Sequence, residues 1–500
     1  MPEPKNVLFV IIDQLRADCL FGPLAAHAHI PNLRALMAES VSFTDHYSVT
    51  APCGPSRVSI LTGQYAMNHR AVRNGTPLRH DTPNIATELR KAGHVPLLYG
   101  YTDTAQDPRV LAADDPRLKS YEEVMPGFEE VLRMRLEDNE GQWRQFLLKR
   151  GHEVPPYPGL YRPTGGRLDG PAVYIAAESD TAFMTDFVIG DLAGRAPGWL
   201  ALVTYIRPHP PFVAPDPYNR MVDPDTLPPP LAVPQGPEHP FVSAARTAKD
   251  IGSGVVGFAD LAATDENVQT LRAVYLGLLA EVDHHLGRLF AALKEQGRYD
   301  DTLIVVMSDH GEMLGDFGLW GKTTYHDAAF HTPLIIRAPG QASNRGASVA
   351  AAVESIDVVP TILDWLALAI PHSVDGRSLM PFIRGEVPAD WRDSTFSELD
   401  FADPVSPGRV QQLLGLGTDD ANLAVLRRND DRLVHFAAGL DQILFHASRP
   451  AETSNVAEDD TRMRLMLDLS AKMLCHRMVN PDGTFSRTLI AEGGVKIGSC

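Results

Sequence analysis

Two kinds of apolar pattern alternate along the chain. The run VLFVII at 7–12 has no polar face and is rich in branched residues, which predicts a strand buried on both sides and parallel to its neighbours. VPLLYGYTDT, GWLALVTYIRPHPPF and DTLIVVMSDHGE repeat this plan, each apolar until its last residues. Between them lie helical periods. TPNIATELRKAGH offers Thr82 as cap, Pro83 in the first turn and Gly93 just past the end. The long amphipathic stretch from NVQTLRAVYL onward closes at Gly297. Strands alternating with helices predict an α/β layered sheet.

The texture changes after about residue 385. STFSELDF, NLAVLRRNDDRLVHF and QILFHA read as short antiparallel strands with a hairpin turn near Asn429 to Asp431, and DDTRMRLMLDLSAKMLCHRM as a closing helix. The division expected is a catalytic domain over 1–385 and a smaller C-terminal subdomain with tail over 386–500. Within the first, 105–195 reads as an insertion over the sheet edge. The proline-rich 207–240 reads as a lid loop, because proline lacks the donor that sheet interiors and helices need.

The polar ends of the strands carry the candidate chemistry. Asp13, the group Tyr101 to Thr104, His209, and Asp309 with His310 each follow the carboxyl end of an apolar run. In an open parallel sheet those ends share one edge, where ligand sites form. Residues remote in sequence are therefore expected to converge.

Composition narrows the function. Five hundred residues at 44% hydrophobic are ample for a large core, and a formal charge of −18 argues against a nucleic-acid or anionic-membrane partner. A bound anion must then be held by local cations. The cysteines Cys19, Cys53, Cys475 and Cys500 show no disulfide or zinc spacing, and the first apolar run is too short for a signal sequence or a membrane span, so a cytoplasmic location is expected.

One cysteine stands apart. In VTAPCGPSRVSILTGQY, Cys53 lies at the mouth of a helix ended by Gly63, where backbone N–H groups and the macrodipole favour an anion, and Arg57 follows one turn later. On the residues alone, an activated or ligating thiol and a packing cysteine remain equal readings.

Cys53-Gly54-Pro55-Ser56-Arg57 followed by LTG resembles the nucleophile signature of type I sulfatases and of their relatives, the phosphonate monoester hydrolases. NVLFVIIDQLRAD, MNHRAVRNGTPL, RPHPPFVAP, SDHGEMLGD, WGKTTYH, SIDVVPTILDWL and ILFHASRPAETSNVA extend the resemblance over most of the chain. It implies an alkaline-phosphatase-like fold, a large mixed sheet sandwiched by helices with a smaller C-terminal antiparallel α+β domain.

The resemblance also implies a site. Cys53 would be converted to formylglycine by a separate formylglycine-generating enzyme. Asp13, Gln14, Asp309, His310 and residue 53 would hold one divalent ion, with manganese favoured by the imidazole and calcium as the alternative. Arg57, His209 and Lys322 would join residue 53 as catalytic groups, His209 being the leading proton donor and Lys322 its competitor. Asn74, Tyr101, Thr102 and Asp103 would contact substrate.

Asp-Gln and Asp-His as metal pairs look like the phosphonate branch, whereas sulfatases usually carry Asp-Asp and Asp-Asn. Asp103 stands where related phosphonate hydrolases carry hydroxyl residues; pointing inward, it would repel further negative charge. His46, His69, His94, His284 and His285 read as packing or surface residues.

The activity expected is hydrolysis of sulfate esters or phosphonate monoesters, with phosphodiesters as further substrates, through a covalent hemiacetal ester in a homo-oligomer, dimer or tetramer. A phosphomonoesterase using Ser56 or Thr50, and a non-catalytic metal- or anion-binding protein with Cys53 left as thiol, are the competing readings.

Overall fold

The computed structural model describes residues 5–234, 237–340, 344–446, 455, 457, 462–485, 488–492 and 494–497. Most of the motif ILFHASRPAETSNVA, the start of DDTRMRLM and Cys500 lie outside them.

In chain order the first ten strands are β1 (Asn6–Ile12), β2 (Val41–Phe43), β3 (His46–Tyr47), β4 (Thr50–Ala51), β5 (Val95–Gly100), β6 (Glu129–Arg133), β7 (Trp199–Tyr205), β8 (Thr302–Met307), β9 (Leu334–Arg337) and β10 (Ser348–Val349). Eight of these form one sheet in the order β10-β2-β9-β8-β1-β7-β5-β6. β1 is parallel to β7 and β8, β5 is parallel to β7 and β6, and β9 runs antiparallel to β8 and β2, so the sheet is mixed.

The uninterrupted apolar runs are explained by what covers the sheet. Leu8, Val10 and Ile12 of β1 enter one core with residues of the long helix Asp265–Glu295. Val7, Phe9 and Ile11 enter a second core with the helices Cys53–Thr62, Ile85–Lys91 and Val358–Trp365. Side chains alternate across a strand, so burial on both faces requires apolar residues at every position.

Two local expectations are corrected. The helix read from Thr82 begins at Ile85, and its cap is Asn84, whose Oδ1 accepts the N–H groups of Ala86 and Thr87 while Thr87 Oγ1 accepts the Asn84 N–H. That reciprocal pair outcompetes Thr82 two residues earlier. The stretch 105–195 also does more than cover an edge, since it contributes β6 to the sheet and the helix Asp180–Gly194, which packs on the long helix.

β11 (Val353–Glu354), β12 (Thr395–Asp400), β13 (Asn422–Arg428), β14 (Asp431–Phe436) and β15 (Ile443–Phe445) follow. The second sheet has the order β15-β14-β13-β12-β4. Its strands β12 to β15 are antiparallel, and Asn429, at φ 52°, makes the β13–β14 hairpin turn. The fifth strand, β4, pairs parallel to β12 and comes from the residues just before Cys53. The C-terminal sheet thus anchors the chain that leads into the Cys53 helix. In the described part of the proline-rich segment, Phe212, Val213, Tyr218, Val222 and Leu227 are buried in the first core.

Candidate active site

The Cys53 helix is buried on every side along Cys53–Thr62, which explains why its sequence is not amphipathic. Gly63 ends it at φ 70°, a left-handed turn that suits glycine. Its amino end meets the carboxyl ends of β1 and β8.

Asp13, Cys53, Asp309 and His310 each offer one donor atom, and the four atoms lie within 4.8 Å of one another. His310 Nδ1 lies 3.1 Å from the Gly311 carbonyl, which can only accept, so Nδ1 carries the proton and Nε2 presents its lone pair to the cluster. Nε2 stands 3.1 Å from Cys53 Sγ. Asp13 Oδ1 is buried and accepts no hydrogen bond, as expected of an oxygen reserved for a cation. Two carboxylates, an imidazole and the atom at position 53 therefore fit a divalent ion with oxygen and nitrogen ligands. Sγ marks the place that a formylglycine oxygen would take.

Gln14 takes φ 69°, which turns its N–H onto Asp309 Oδ1 at 3.1 Å. Its side-chain oxygen accepts from Lys322 Nζ at 2.7 Å, and its amide nitrogen donates to Glu312. Lys322 Nζ also lies 3.1 Å from Cys53 Sγ.

Arg57 is fully buried among these residues. Nε donates to Asp309 Oδ2 at 3.0 Å, Nη2 to Asp13 Oδ2 and the Tyr101 hydroxyl at 3.1 Å, and Nη1 to the Tyr101 carbonyl at 3.3 Å. The guanidinium lies over the Tyr101 ring, 4.1 Å from its centroid. The Tyr101 hydroxyl donates to Asp13 Oδ2 at 2.5 Å. Tyr101, expected at the substrate, is thus engaged with a ligand carboxylate and with Arg57.

Burial, then Asp309, raises Asp13 above the ordinary carboxylate range. Burial works against the charge of Asp309 too, yet His310, Arg57 and Lys322 hold it at about 2. Burial lowers His310 to about 4, so its ring is neutral and able to ligate. It pushes the Cys53 thiol well up, and Asp13 adds to the effect. A reactive thiolate is therefore disfavoured at this position. Burial opposes the charge of Lys322, but Cys53, Asp13 and Asp309 outweigh it and keep the ammonium protonated.

The remaining residues divide. Asn74 Oδ1 accepts the Gly54 N–H at 2.9 Å, beside the nucleophile position. Asp103 sits with Oδ2 3.8 Å from Arg57 Nε. His209 donates from Nδ1 to the Pro210 carbonyl at 2.5 Å, and burial, then Lys322, lowers its pKa well below the ordinary value. Thr102 turns away: its hydroxyl donates to the Glu123 carbonyl and accepts from the Met125 N–H. Ser56 donates to the Asp309 carbonyl at 2.6 Å and Thr50 to the Ala51 carbonyl at 3.4 Å, so both hydroxyls hold backbone. His69 accepts from the Ala71 N–H and pairs with Ser59, a packing role.

Two groups were not singled out in the sequence. Glu312 is buried and receives Gln14; its place three residues after Asp309 in the same segment was the available signal. Lys249 lies with its side chain against Gly321, and Glu312, Lys322 and Cys53 act on its charge. It ends the helix Pro240–Ala248, where nothing local marks it.

Comparison with known proteins agrees with this geometry. A family model described as Sulfatase matches residues 5–368, and one described as N-sulphoglucosamine sulphohydrolase, C-terminal, matches 315–478. The multifunctional alkaline phosphatase superfamily protein PehA of Trinickia caryophylli is 38% identical over 502 residues, covering 96% of this chain and 97% of its own. The structure of a phosphonate monoester hydrolase from Silicibacter pomeroyi superposes with TM-score 0.95 at 56% identity, over 99% of both chains. That of Agrobacterium radiobacter gives 0.93 at 38% identity, over 99% of this chain and 100% of the other.

Proposed function

The chain belongs to the sulfatase family, and from that premise we propose a metal- and formylglycine-dependent hydrolase of sulfate esters and phosphonate monoesters. The observation that carries it is the convergence of Asp13, Cys53, Asp309 and His310 on one point, with Lys322 beside them.

Those four residues, with Gln14 adjacent, would hold one divalent ion, manganese in preference to calcium; bound there, it supplies Lewis acidity toward a hydroxyl on residue 53 and toward the ester oxygens. As a formylglycine hydrate, residue 53 would offer one hydroxyl for attack at sulfur or phosphorus with departure of the ester's alcohol, and a second whose deprotonation would regenerate the aldehyde and release the acid by C–O cleavage. Cys53 is buried in the folded chain, so conversion by a formylglycine-generating enzyme would act before folding is complete.

The chain's own groups have separable tasks. Arg57 has each nitrogen engaged by Asp13, Asp309 or Tyr101, so it positions the ligand carboxylates. Lys322 carries a proton and faces position 53, where it orients the nucleophile and stabilises charge on a non-bridging oxygen. Asn74 fixes Gly54 through Oδ1 and offers Nδ2 to a substrate oxygen. His209 has Nδ1 committed to Pro210, which leaves Nε2 to meet the departing oxygen; a substrate anion nearby would raise its pKa into the useful range.

Self-association as dimer or tetramer is part of the proposal. Met463, Leu467, Leu474 and Met478 are exposed along the helix Met463–Val479, and Leu489, Ile490 and Val495 on the terminal hairpin add to them. Sedimentation at increasing concentration tests this.

Peptide mass spectrometry at residue 53, with steady-state rates on a phenyl sulfate and a phenyl phosphonate ester as the metal is varied, tests the chemistry. Loss of sulfur at residue 53 and metal-dependent turnover are expected. An intact thiol in protein made by a host able to convert it leaves the site without a nucleophile and favours a metal- or anion-binding protein.

A further inference from the structure

One wall of the site carries carboxyl groups outside the four-residue cluster. Asp103 is only 7% exposed, and its backbone takes φ 49°, a left-handed conformation unusual outside glycine. The cation nearest its carboxylate is Arg57, whose Nε stays 3.8 Å away while its hydrogen bonds go to Asp309, Asp13 and Tyr101. The Asp103 backbone carbonyl would stand 3.1 Å from a Cβ at Gly54, so the residue borders the mouth of the Cys53 helix, and burial raises its carboxyl to about 7 while Arg57 pulls the other way.

The wall continues outward. Tyr121 lies beside Gly75, and Glu122 follows it, nearly buried. Burial, then Glu137, raises the Glu122 carboxyl to about 7. Tyr121, Glu122, Glu137 and Gln106 line a cavity of about 490 Å³ together with Gly75 and Ala105. Two cations border it: Arg117 is paired with Asp115 at 2.8 Å, and Lys119 is exposed. Lys322 brings a cation to position 53 itself, with Nζ 3.1 Å from Cys53 Sγ.

An oxyanion held beside Lys322 thus has carboxyl groups and an aromatic ring to one side of the Cys53 helix mouth, the pairing that attracts an ammonium ion. We propose that this hydrolase prefers esters whose organic part carries an ammonium group, received by Asp103, Tyr121 and Glu122. The inference rests on the hydrolase reading and names its substrate class. The ammonium can sit on the leaving alcohol or on the substituent retained by phosphorus.

Matched neutral isosteres separate these sources. One pair is 4-nitrophenyl 2-aminoethylphosphonate against 4-nitrophenyl propylphosphonate; the other is 4-(2-aminoethyl)phenyl against 4-propylphenyl methylphosphonate. In at least one pair the charged ester should have a kcat/KM about tenfold higher or more, and Asp103→Asn and Glu122→Gln should each move that ratio toward one whatever they do to absolute rates. Ratios near one in both pairs, or a preference unmoved by both variants, overturn the proposal while hydrolysis of the neutral esters keeps the function reading. Calorimetric binding of the same four esters to Cys53→Ala protein is the second measurement. If converted protein turns over no ester, the hydrolase reading fails and binding decides alone: tighter binding of a charged ester that weakens with Asp103→Asn sustains the wall, and equal binding overturns it.

Discussion

Arg57 donates from Nε to Asp309 Oδ2 at 3.0 Å, tying the Cys53 helix to the end of β8 across 252 residues of chain. The same guanidinium holds Asp13. Two buried carboxylates that repel each other thereby share one cation. Arg57→Met leaves both without it, and metal-free protein should lose about 3–5 kcal/mol of stability. Urea unfolding with and without Mn²⁺ checks this: the ion should restore part of the loss, and an identical loss in both conditions would count against the shared-cation account.

The same repulsion predicts the response to metal removal. An ion that binds the folded site and not the unfolded chain stabilises by about 2.7 kcal/mol at a hundred times its Kd. Chelation should therefore lower Tm and abolish turnover, and Mn²⁺ should restore both. Asp13→Asn should respond to neither treatment; an undiminished shift in that variant places the ion elsewhere.

Gly54 tests how finely the nucleophile neighbourhood is set. A Cβ at this position would stand 2.9 Å from Asn74 Oδ1 and 3.1 Å from the Asp103 carbonyl. Gly54→Ala should push both aside and reduce kcat/KM by about 10²-fold, the scale of an ångström of misplacement. Circular dichroism should show the fold retained. Wild-type rates in the variant would mean that Asn74 has no part in the site.

Glu281 gives a pH-dependent outcome away from the chemistry. Burial in the long helix, then Asp180, raises its carboxyl to about 8 from an ordinary 4.5. Between those values the folded chain keeps a proton that the unfolded chain has lost, so the penalty grows as pH rises from 4.5 and is complete above 8. Glu281→Gln has no such penalty. Its stability relative to wild type should be unchanged near pH 4.5 and greater by on the order of 5 kcal/mol at pH 9, measured by urea unfolding at several pH values. A difference independent of pH would show that Glu281 ionises in the folded state as freely as in the unfolded one.

Local grammar carried much of the architecture. Runs without a polar face gave strands buried on both sides, as Leu8 and Phe9 show by entering opposite cores. The break at Gly63 and the hairpin at Asn429 were legible because left-handed turns demand particular residues. Asn84 displaced Thr82 as cap because two candidate caps stood two residues apart, and only the one whose side chain reached the free N–H groups could serve.

By itself the sequence determined the layered sheet, the helix mouth at Cys53 and the set of polar strand ends, because periodicity and backbone sterics act within a few residues. Tertiary packing alone decided where loop side chains point: Tyr101 onto Asp13, Thr102 onto the 123–125 loop, Asp103 to within 3.8 Å of Arg57 Nε, and Lys249 against Gly321, remote from it in the chain. In a loop, neighbouring residues can face opposite ways at nearly equal local energy. The choice falls to whichever distant donor, acceptor or void the folded chain brings within reach.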